Sequence, residues 1–255
     1  MKGDYVESFN KMVRNLREEG YFDRNADEDD NQTDSVGAFE TAVDWTSNFG
    51  AARNQKSCGS CWAFSTLGMV EGRISQKTGT ITPYLSTQQL VDCDTVDKGC
   101  NGGWFSNALK YVLANGVVKD SDYPYTAVKA TTCKVPTTAP RTKISKFDYC
   151  TNTIGTYACT EDKVFTRLTT GSQAIAIDGS VIQSYRSGVF TGSCTTMNHG
   201  VVLVGAGTDA TTGLQYWKVR NSWGTWGENG YIRVGRNLAN NSNCFITKHA
   251  FSITP

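Results

Sequence analysis

Four side chains in this sequence have the types needed for nucleophilic catalysis by a cysteine. The chain has nine cysteines, an odd number, so at least one thiol stays outside disulfides, and Cys61, three residues after Cys58, is the candidate. A thiol attacks as its thiolate and needs a base that later protonates the leaving group; His199, one of two histidines, suits that role. Asn221 could orient the imidazole, and the Gln55 side chain and the Cys61 backbone N–H could donate to a developing oxyanion.

The thiol stands at the start of a stretch that we expect to form a helix. Residues 61–78 are mostly helix-compatible and largely apolar, which indicates a buried helix that begins at Cys61. Backbone N–H groups and the helix dipole favour an anion at a helix N-terminus. We therefore expect this position to lower the pKa of the Cys61 thiol.

The remaining patterns change in character along the chain. The globular body is expected to begin near Val43, and residues 85–91 and 106–113 are expected to form two further helices. Short β-prone runs separated by glycines follow at residues 174–177, 200–204, 216–219 and 231–234. Helices therefore dominate the first half and strands the second.

This division predicts an α+β fold with two lobes. The expected helical lobe spans residues 35–148 and carries Cys61, and the expected β-rich, barrel-like lobe spans residues 149–255 and carries His199 and Asn221. The active site would then lie in the cleft between the lobes.

Composition restricts the class of partner and the compartment. A net charge of +1 argues against nucleic acid or a charge-bound membrane, and no apolar run approaches the ~20 residues needed to span a bilayer. Nine cysteines favour an oxidising compartment, lysosomal, vacuolar or secreted, over a cytosolic protein with reduced thiols, which stays the rival interpretation. No apolar leader follows Met1, and we expect that a leader has been removed.

The first 34 residues differ from the rest. Residues 1–34 hold ten acidic and five basic side chains, with helical spacing of apolar residues over 5–19 and a polar linker over 23–31. We interpret this head as a short inhibitory propeptide, held partly by opposite charge; a mature extension or an expression remnant is the alternative. Sequons at Asn31 and Asn240 are compatible with a glycoprotein on a secretory route.

Four motifs in order resemble the papain family of cysteine peptidases, with cathepsin L-like enzymes as the nearest type. The likeness covers roughly residues 43–251. Its motifs are Gln55 with Cys58-Gly59-Ser60-Cys61-Trp62-Ala63-Phe64, Cys100-Asn101-Gly102-Gly103, Asn198-His199-Gly200 and Asn221-Ser222-Trp223-Gly224.

The resemblance implies a hydrolase that cleaves peptide bonds through an acyl-enzyme, with Cys61 as nucleophile and His199 as acid and base. It implies protein or peptide substrates, cystatin-like inhibitors as partners, a monomer made as a zymogen, and neither cofactor nor metal. The histidine-bearing insertion of dipeptidyl-peptidases in the family has no counterpart, since no histidine lies between Cys93 and Cys133. Endopeptidase action is therefore expected.

The resemblance also implies substrate subsites and disulfides. Gly102 and Gly103 would offer backbone hydrogen bonds to the substrate, and Trp223 would cover the His–Asn pair. The pocket for P2, the second residue before the scissile bond, would be lined by Trp104, Phe105, Ala176, Met197 and Gly200, with His249 as its floor. The implied disulfides are Cys58–Cys100, Cys93–Cys133 and Cys194–Cys244, which leaves Cys150 and Cys159 to close an extra loop.

These pocket residues favour a large apolar side chain at P2. His249 adds a candidate pH switch, because a protonated imidazole could attract an acidic P2 side chain. The alternative for His249 is a surface histidine near the C-terminus.

Other function classes compete with a peptidase. An inactive relative would be expected to lack one of the four catalytic side chains, and a transglutaminase-like acyltransferase would be expected to have Asp in place of Asn221. The hypothesis that Cys58 and Cys61 carry out disulfide exchange is less well supported if Cys58 is paired with another cysteine in a structural disulfide. A zinc site is disfavoured because no second Cys/His pair has ligand spacing.

Overall fold

The structure is a computed structural model that describes residues 42–150, 159–238 and 243–255. The acidic head, its expected helix and both sequons lie outside these residues. The helices of the described residues are α1 Cys61–Thr78, α2 Thr87–Cys93, α3 Phe105–Asn115 and α4 Glu161–Thr169, with short helical turns at Thr46–Asn48 and Trp226–Asn229. The strands are β1 Val43–Asp44, β2 Lys146–Tyr149, β3 Gln173–Ile177, β4 Val189–Phe190, β5 His199–Thr208, β6 Gln215–Arg220, β7 Tyr231–Gly235 and β8 Ala250–Thr254.

Helix α1 confirms the buried helix predicted to begin at Cys61. Twelve of its 18 residues are buried, so other parts of the protein cover the helix on most of its faces. The helix ends at Gly79, whose φ of +70° suits a residue without Cβ and whose N–H donates to the Ser75 carbonyl. The Cys61 thiol is therefore at the N-terminus of a helix that packs against the core along most of its length.

Helices α2 and α3 confirm the two further helices, with different ends. α2 begins two residues later than predicted, because the Ser86 side chain accepts the Gln89 N–H at 3.0 Å and caps the helix there. Leu85 lies outside the helix, and its N–H donates to the buried Glu71 carboxylate at 2.8 Å. α3 extends beyond both predicted ends and stops at Gly116, where φ is +68°.

The strands form one eight-stranded sheet. Its order is β2-β8-β3-β5-β6-β7-β4, and β1 pairs with β5 outside this path. All pairs are antiparallel except β4 with β7. β5 is the longest strand and lies between β3 and β6, with a register shift between Leu203 and Gly205. The four predicted β-prone runs are the interior parts of β3, β5, β6 and β7.

Among the strands and the longer helices, five elements were not predicted: β1, β2, β4, β8 and α4. β2 and β8 are short, and only their pairing, as at Phe147 and Ile253, gives them a buried apolar face. α4 did carry a start signal, since the Thr160 side chain accepts the Lys163 N–H and an acidic residue, Glu161, opens the first turn. Only two α4 side chains are buried, which explains why apolar periodicity did not reveal it.

Two apolar clusters make up the core of the described residues. The first joins side chains of α1, α2, α3 and β2, and the second joins side chains of α4 and β6. Side chains of β3, β5, β7 and β8 contribute to both clusters. The predicted boundary between lobes, after residue 148, falls inside β2, and the division into two lobes stays a prediction. Among the described helices, none is both long enough and apolar enough to span a membrane.

All nine cysteines lie within the described residues. The structure contains Cys58–Cys100, Cys93–Cys133 and Cys194–Cys244, the three disulfides that the resemblance implied. It also contains Cys150–Cys159, the pair expected from the two cysteines that remained. Cys61 is the free thiol.

Candidate active site

The free thiol and the predicted base lie on two elements that pack together. Cys61 is the first residue of α1 and His199 is the first residue of β5. Both line one cavity of about 450 Å³. A Cβ on Gly200 would lie 3.0 Å from the Cys61 carbonyl oxygen, so the two backbones approach as closely as only glycine allows.

The His199 ring is oriented by an amide and covered by an indole. His199 Nε2 lies 2.7 Å from Asn221 Oδ1, and the same oxygen accepts the Ser222 N–H at 2.7 Å. Because Oδ1 is the acceptor in both bonds, Nε2 carries the proton and Nδ1 is left to take one. Trp223 stacks on the imidazole, with ring centroids 4.6 Å apart and planes at 27°. The imidazole is thus held in one tautomer and screened from water.

Both polar atoms of the Gln55 side-chain amide are hydrogen-bonded. Its Nε2 donates to the Cys58 carbonyl at 3.0 Å, and its Oε1 accepts the Ser222 hydroxyl at 2.7 Å. The Tyr125 hydroxyl donates to the Gln55 carbonyl at 2.8 Å, a contact that the sequence analysis did not anticipate. An amide has a second N–H, which Gln55 can offer to an oxyanion together with the Cys61 backbone N–H.

Burial shifts both catalytic candidates toward their neutral forms. Desolvation lowers the pKa of His199 to about 4, although the bond to Asn221 acts in the opposite direction. Desolvation also raises the pKa of the Cys61 thiol, against backbone hydrogen bonds from Gly200 and Trp62 that favour the thiolate. The N–H groups at the helix N-terminus do act to lower this pKa, as expected, but the desolvation of the thiolate acts in the opposite direction and is the larger effect.

A thiolate and an imidazolium can therefore form here only together. Each charge alone would be buried without a counter-ion, whereas transfer of the proton from Cys61 to His199 creates two opposite charges in one site.

The cavity collects eight of the nine predicted substrate-binding residues. Its lining includes Gly102, Gly103, Trp104, Phe105, Ala176, Met197, Gly200 and His249. Trp223 is the exception, since it packs on the His199 ring and does not line the cavity. His249 is only 6% exposed, so the interpretation as a surface histidine was wrong. Desolvation lowers the pKa of His249 to about 3.

The described residues contain no cluster of His, Cys, Asp or Glu side chains suited to hold a metal ion. The side chains of the site offer a thiol, an imidazole with one defined proton and two amides.

Comparison with known proteins identifies what this arrangement resembles. A family model described as papain family cysteine protease matches residues 39–254. The chain is 42% identical to cysteine proteinase RD21A of Arabidopsis thaliana over 79% of its own length, and 42% identical to cathepsin L 1 of Paramecium tetraurelia over 75%. These matches span 43% and 59% of the two relatives.

The fold also matches a solved structure. Bromelain protease from Ananas comosus, solved in complex with the E64 inhibitor, superimposes with a TM-score of 0.75 at 35% identity. The match covers 84% of this chain and 99% of that one. The α+β fold expected from the motifs is thereby confirmed.

Asp97 is a cavity residue that the sequence analysis did not single out. It is 4% exposed, and its Oδ1 accepts the Trp104 N–H and the Asn107 side-chain amide, both at 3.0 Å. Its carboxyl group also bonds to that of Asp94, and a Cβ on Gly103 would lie 2.8 Å from Asp97 Cγ. No sequence signal marked it, since an acidic residue in a polar loop is usually solvated.

We predict that Asp97→Asn stabilises the protein at alkaline pH more than at acidic pH. Burial, with the neighbouring Asp94 carboxyl, raises the pKa of Asp97 to about 7, so the folded state binds a proton that the unfolded state releases near pH 4. Stability is therefore lost as pH rises from about 4 to about 7, and the loss is complete above that range. Asparagine keeps the acceptor for Trp104 and Asn107 and has no proton to lose.

The measurement is the melting temperature in a Cys61→Ser background, which prevents self-digestion. At about pH 8 we expect a gain on the order of 2 kcal/mol, which is ~4–8 °C for a chain of this size, and little gain at about pH 4.5. Exposed Asp122 provides the control Asp122→Asn, which should leave the pH profile unchanged. An Asp97→Asn profile parallel to that of the parent protein would contradict the assignment.

Proposed function

The chain belongs to the papain family of cysteine proteases, and we propose that it acts as an endopeptidase that hydrolyses protein and peptide substrates through an acyl-enzyme on Cys61. One observation carries the proposal: the free thiol at the start of a buried helix shares a cavity with an imidazole that Asn221 orients at 2.7 Å. The Gln55 side chain donates to the carbonyl of Cys58, three residues before Cys61.

Each step of the proposed reaction uses a side chain or a backbone N–H of the candidate site. The thiol proton passes to His199 Nδ1 as Sγ attacks the substrate carbonyl carbon, and the oxygen becomes an oxyanion that accepts from Gln55 Nε2 and the Cys61 N–H. The C–N bond then breaks, and the imidazolium gives its proton to the leaving amine. Water, deprotonated by His199, attacks the thioester and releases the carboxyl product and the free thiol.

Asn221 and Trp223 act in this scheme through His199. When the thiol proton reaches His199, the imidazolium is stabilised by a charge-assisted bond to Asn221 Oδ1. Trp223 keeps water from competing for that bond. An interaction that strengthens as the transition state forms is the kind that raises kcat.

The competing functions are less well supported. Cys58 is bonded to Cys100, so Cys61 has no neighbouring thiol for disulfide exchange. The orienting residue is an amide, not the carboxylate expected in a transglutaminase-like acyltransferase. Cys61, His199, Asn221 and Gln55 are all present and positioned, which argues against an inactive relative.

For specificity, we propose that the P2 pocket takes a large apolar side chain. The support is the cavity wall of Trp104, Phe105, Ala176 and Met197, with His249 behind it. Since His249 stays neutral above about pH 4, the acid-triggered attraction of an acidic P2 residue is not part of this proposal.

Four disulfides support an oxidising compartment, lysosomal, vacuolar or secreted. A propeptide role for residues 1–34, a monomeric state and binding of cystatin-like inhibitors stay predictions. They follow from the family resemblance and from the charge of the head.

Activity itself gives the first test of the proposal. E-64 should add covalently to Cys61, detected by peptide mass spectrometry, and Cys61→Ala should abolish both labelling and peptide hydrolysis. Asn221→Ala should lower kcat about 10- to 100-fold, the effect of one buried hydrogen bond of about 1–3 kcal/mol. Asn115→Ala, an exposed residue at the end of α3, is the matched control. A folded protein that neither labels nor cleaves peptides would refute the peptidase.

We predict that the pH dependence of P2 selectivity between Glu and Leu is the same in the native protein and in His249→Gln from about pH 4 to about pH 7. The lowered pKa keeps His249 uncharged in that range, and glutamine is uncharged at every pH. Titration of the substrate glutamate and of His199 affects both enzymes alike and cancels in the comparison. A Glu/Leu ratio that rises in acid only when His249 is present would show that the imidazole does protonate.

A further inference from the structure

The floor of the predicted P2 pocket lies just outside the sheet. His249 precedes β8, whose first residue is Ala250 and whose pairing with β2 ends where Tyr149 lies opposite Phe251. Residues 243–248 form turns, not strand. The ladder of β8 therefore does not hold the main chain on the N-terminal side of His249, and something else must fix it.

Three hydrogen bonds hold the main chain around His249, and their donors are Tyr149, Cys150 and Cys159. The Cys159 N–H donates to the Thr247 carbonyl at 2.9 Å, and the Cys150 N–H donates to the Ala250 carbonyl at 2.9 Å. The Tyr149 hydroxyl donates to the Lys248 carbonyl at 2.6 Å. The acceptors lie on both sides of His249 in the chain.

A covalent bond joins two of these three donors. Cys150 and Cys159 form a disulfide that is buried in the same apolar cluster as Ile246 and Ala250. The bonds to Thr247 and Ala250 are thus made by two ends of one cross-linked unit.

Tyr149 adds a contact with the imidazole itself. Its ring packs edge-on against the His249 ring, with centroids 6.2 Å apart, and against Phe251 at 4.7 Å. The tyrosine therefore fixes both the backbone beside His249, through its hydroxyl, and the direction of the ring.

We propose that Tyr149 and the Cys150–Cys159 disulfide are positioning residues for P2 specificity, because together they fix the His249 segment that forms the pocket floor. The inference rests on the proposed function. None of the three residues lines the cavity, so they act through His249 and not by touching substrate. The catalytic pair is held elsewhere, by α1 and β5, so loosening the floor should change selectivity more than the chemical step.

The test compares two variants with two matched controls. Cys150→Ala/Cys159→Ala removes the cross-link, and Tyr149→Phe removes the hydroxyl bond while it keeps the ring. Cys93→Ala/Cys133→Ala removes a disulfide anchored at α2, and Tyr123→Phe removes a hydroxyl bonded to Asp92 at 2.8 Å. The controls report the effect of lost stability alone.

Two measurements are made on each protein. The first is kcat/KM for peptides that differ only in Leu or Ala at P2, and the second is amide hydrogen exchange over residues 246–251. For the double variant we expect the Leu/Ala ratio to fall about fivefold or more, mainly through KM, and for Tyr149→Phe about twofold, with faster exchange in both. The controls should keep the ratio and the exchange of this segment.

An unchanged Leu/Ala ratio with unchanged exchange would overturn the proposal, and so would an equal fall of the ratio in the controls. If the double variant does not fold, Tyr149→Phe decides by the same two measurements. If the native protein cleaves no peptide, the proposed function fails. Hydrogen exchange then still reports whether Tyr149 and the disulfide hold the segment.

Discussion

The close packing of α1 against β5 is the constraint on which the rest of the site depends. A Cβ on Gly68 would lie 3.0 Å from the Val202 side chain, and the Ser65 hydroxyl donates to the Val201 carbonyl at 2.5 Å. These contacts align the two elements so that their first residues, Cys61 and His199, share one cavity. Because α1 is buried along most of its length, the thiol cannot shift relative to the imidazole without disturbing the core.

The same packing creates the electrostatic character of the site. Burial shifts the thiol and the imidazole toward their neutral forms, so neither charge of the ion pair is favoured without the other. What the protein supplies is a set of fixed dipoles for the moment at which charge appears: Asn221 Oδ1 toward the imidazole and N–H groups toward the thiol and the oxyanion. Such groups need no reorganisation during the reaction, because Ser222 and Cys58 already hold the two amides.

Much of this could be predicted from the sequence, since the chemistry depends on residue types at recognisable positions. Cys61, His199 and Asn221 stand in local motifs, and the buried helix after Cys61 follows from its apolar content. The direction of the Cys61 pKa could not, because helix position is visible in sequence whereas desolvation depends on what packs around the thiol. Tyr149 was missed because its role follows from contact with Lys248, 99 residues later in the chain. Asp97 was missed because its bonds are local but its burial depends on how the loop packs.

Different parts of the fold position the catalytic pair and the floor of the P2 pocket. The catalytic pair is fixed by a helix and a strand of the core, whereas the pocket floor at His249 belongs to a turn held from outside the β8 ladder. A change in the stretch from Tyr149 to Cys159 can therefore move the floor without moving the thiol relative to the imidazole. The Cys150–Cys159 disulfide lies beside the turns that precede β8, and the N–H groups of its two cysteines bond to the Ala250 and Thr247 carbonyls on either side of His249.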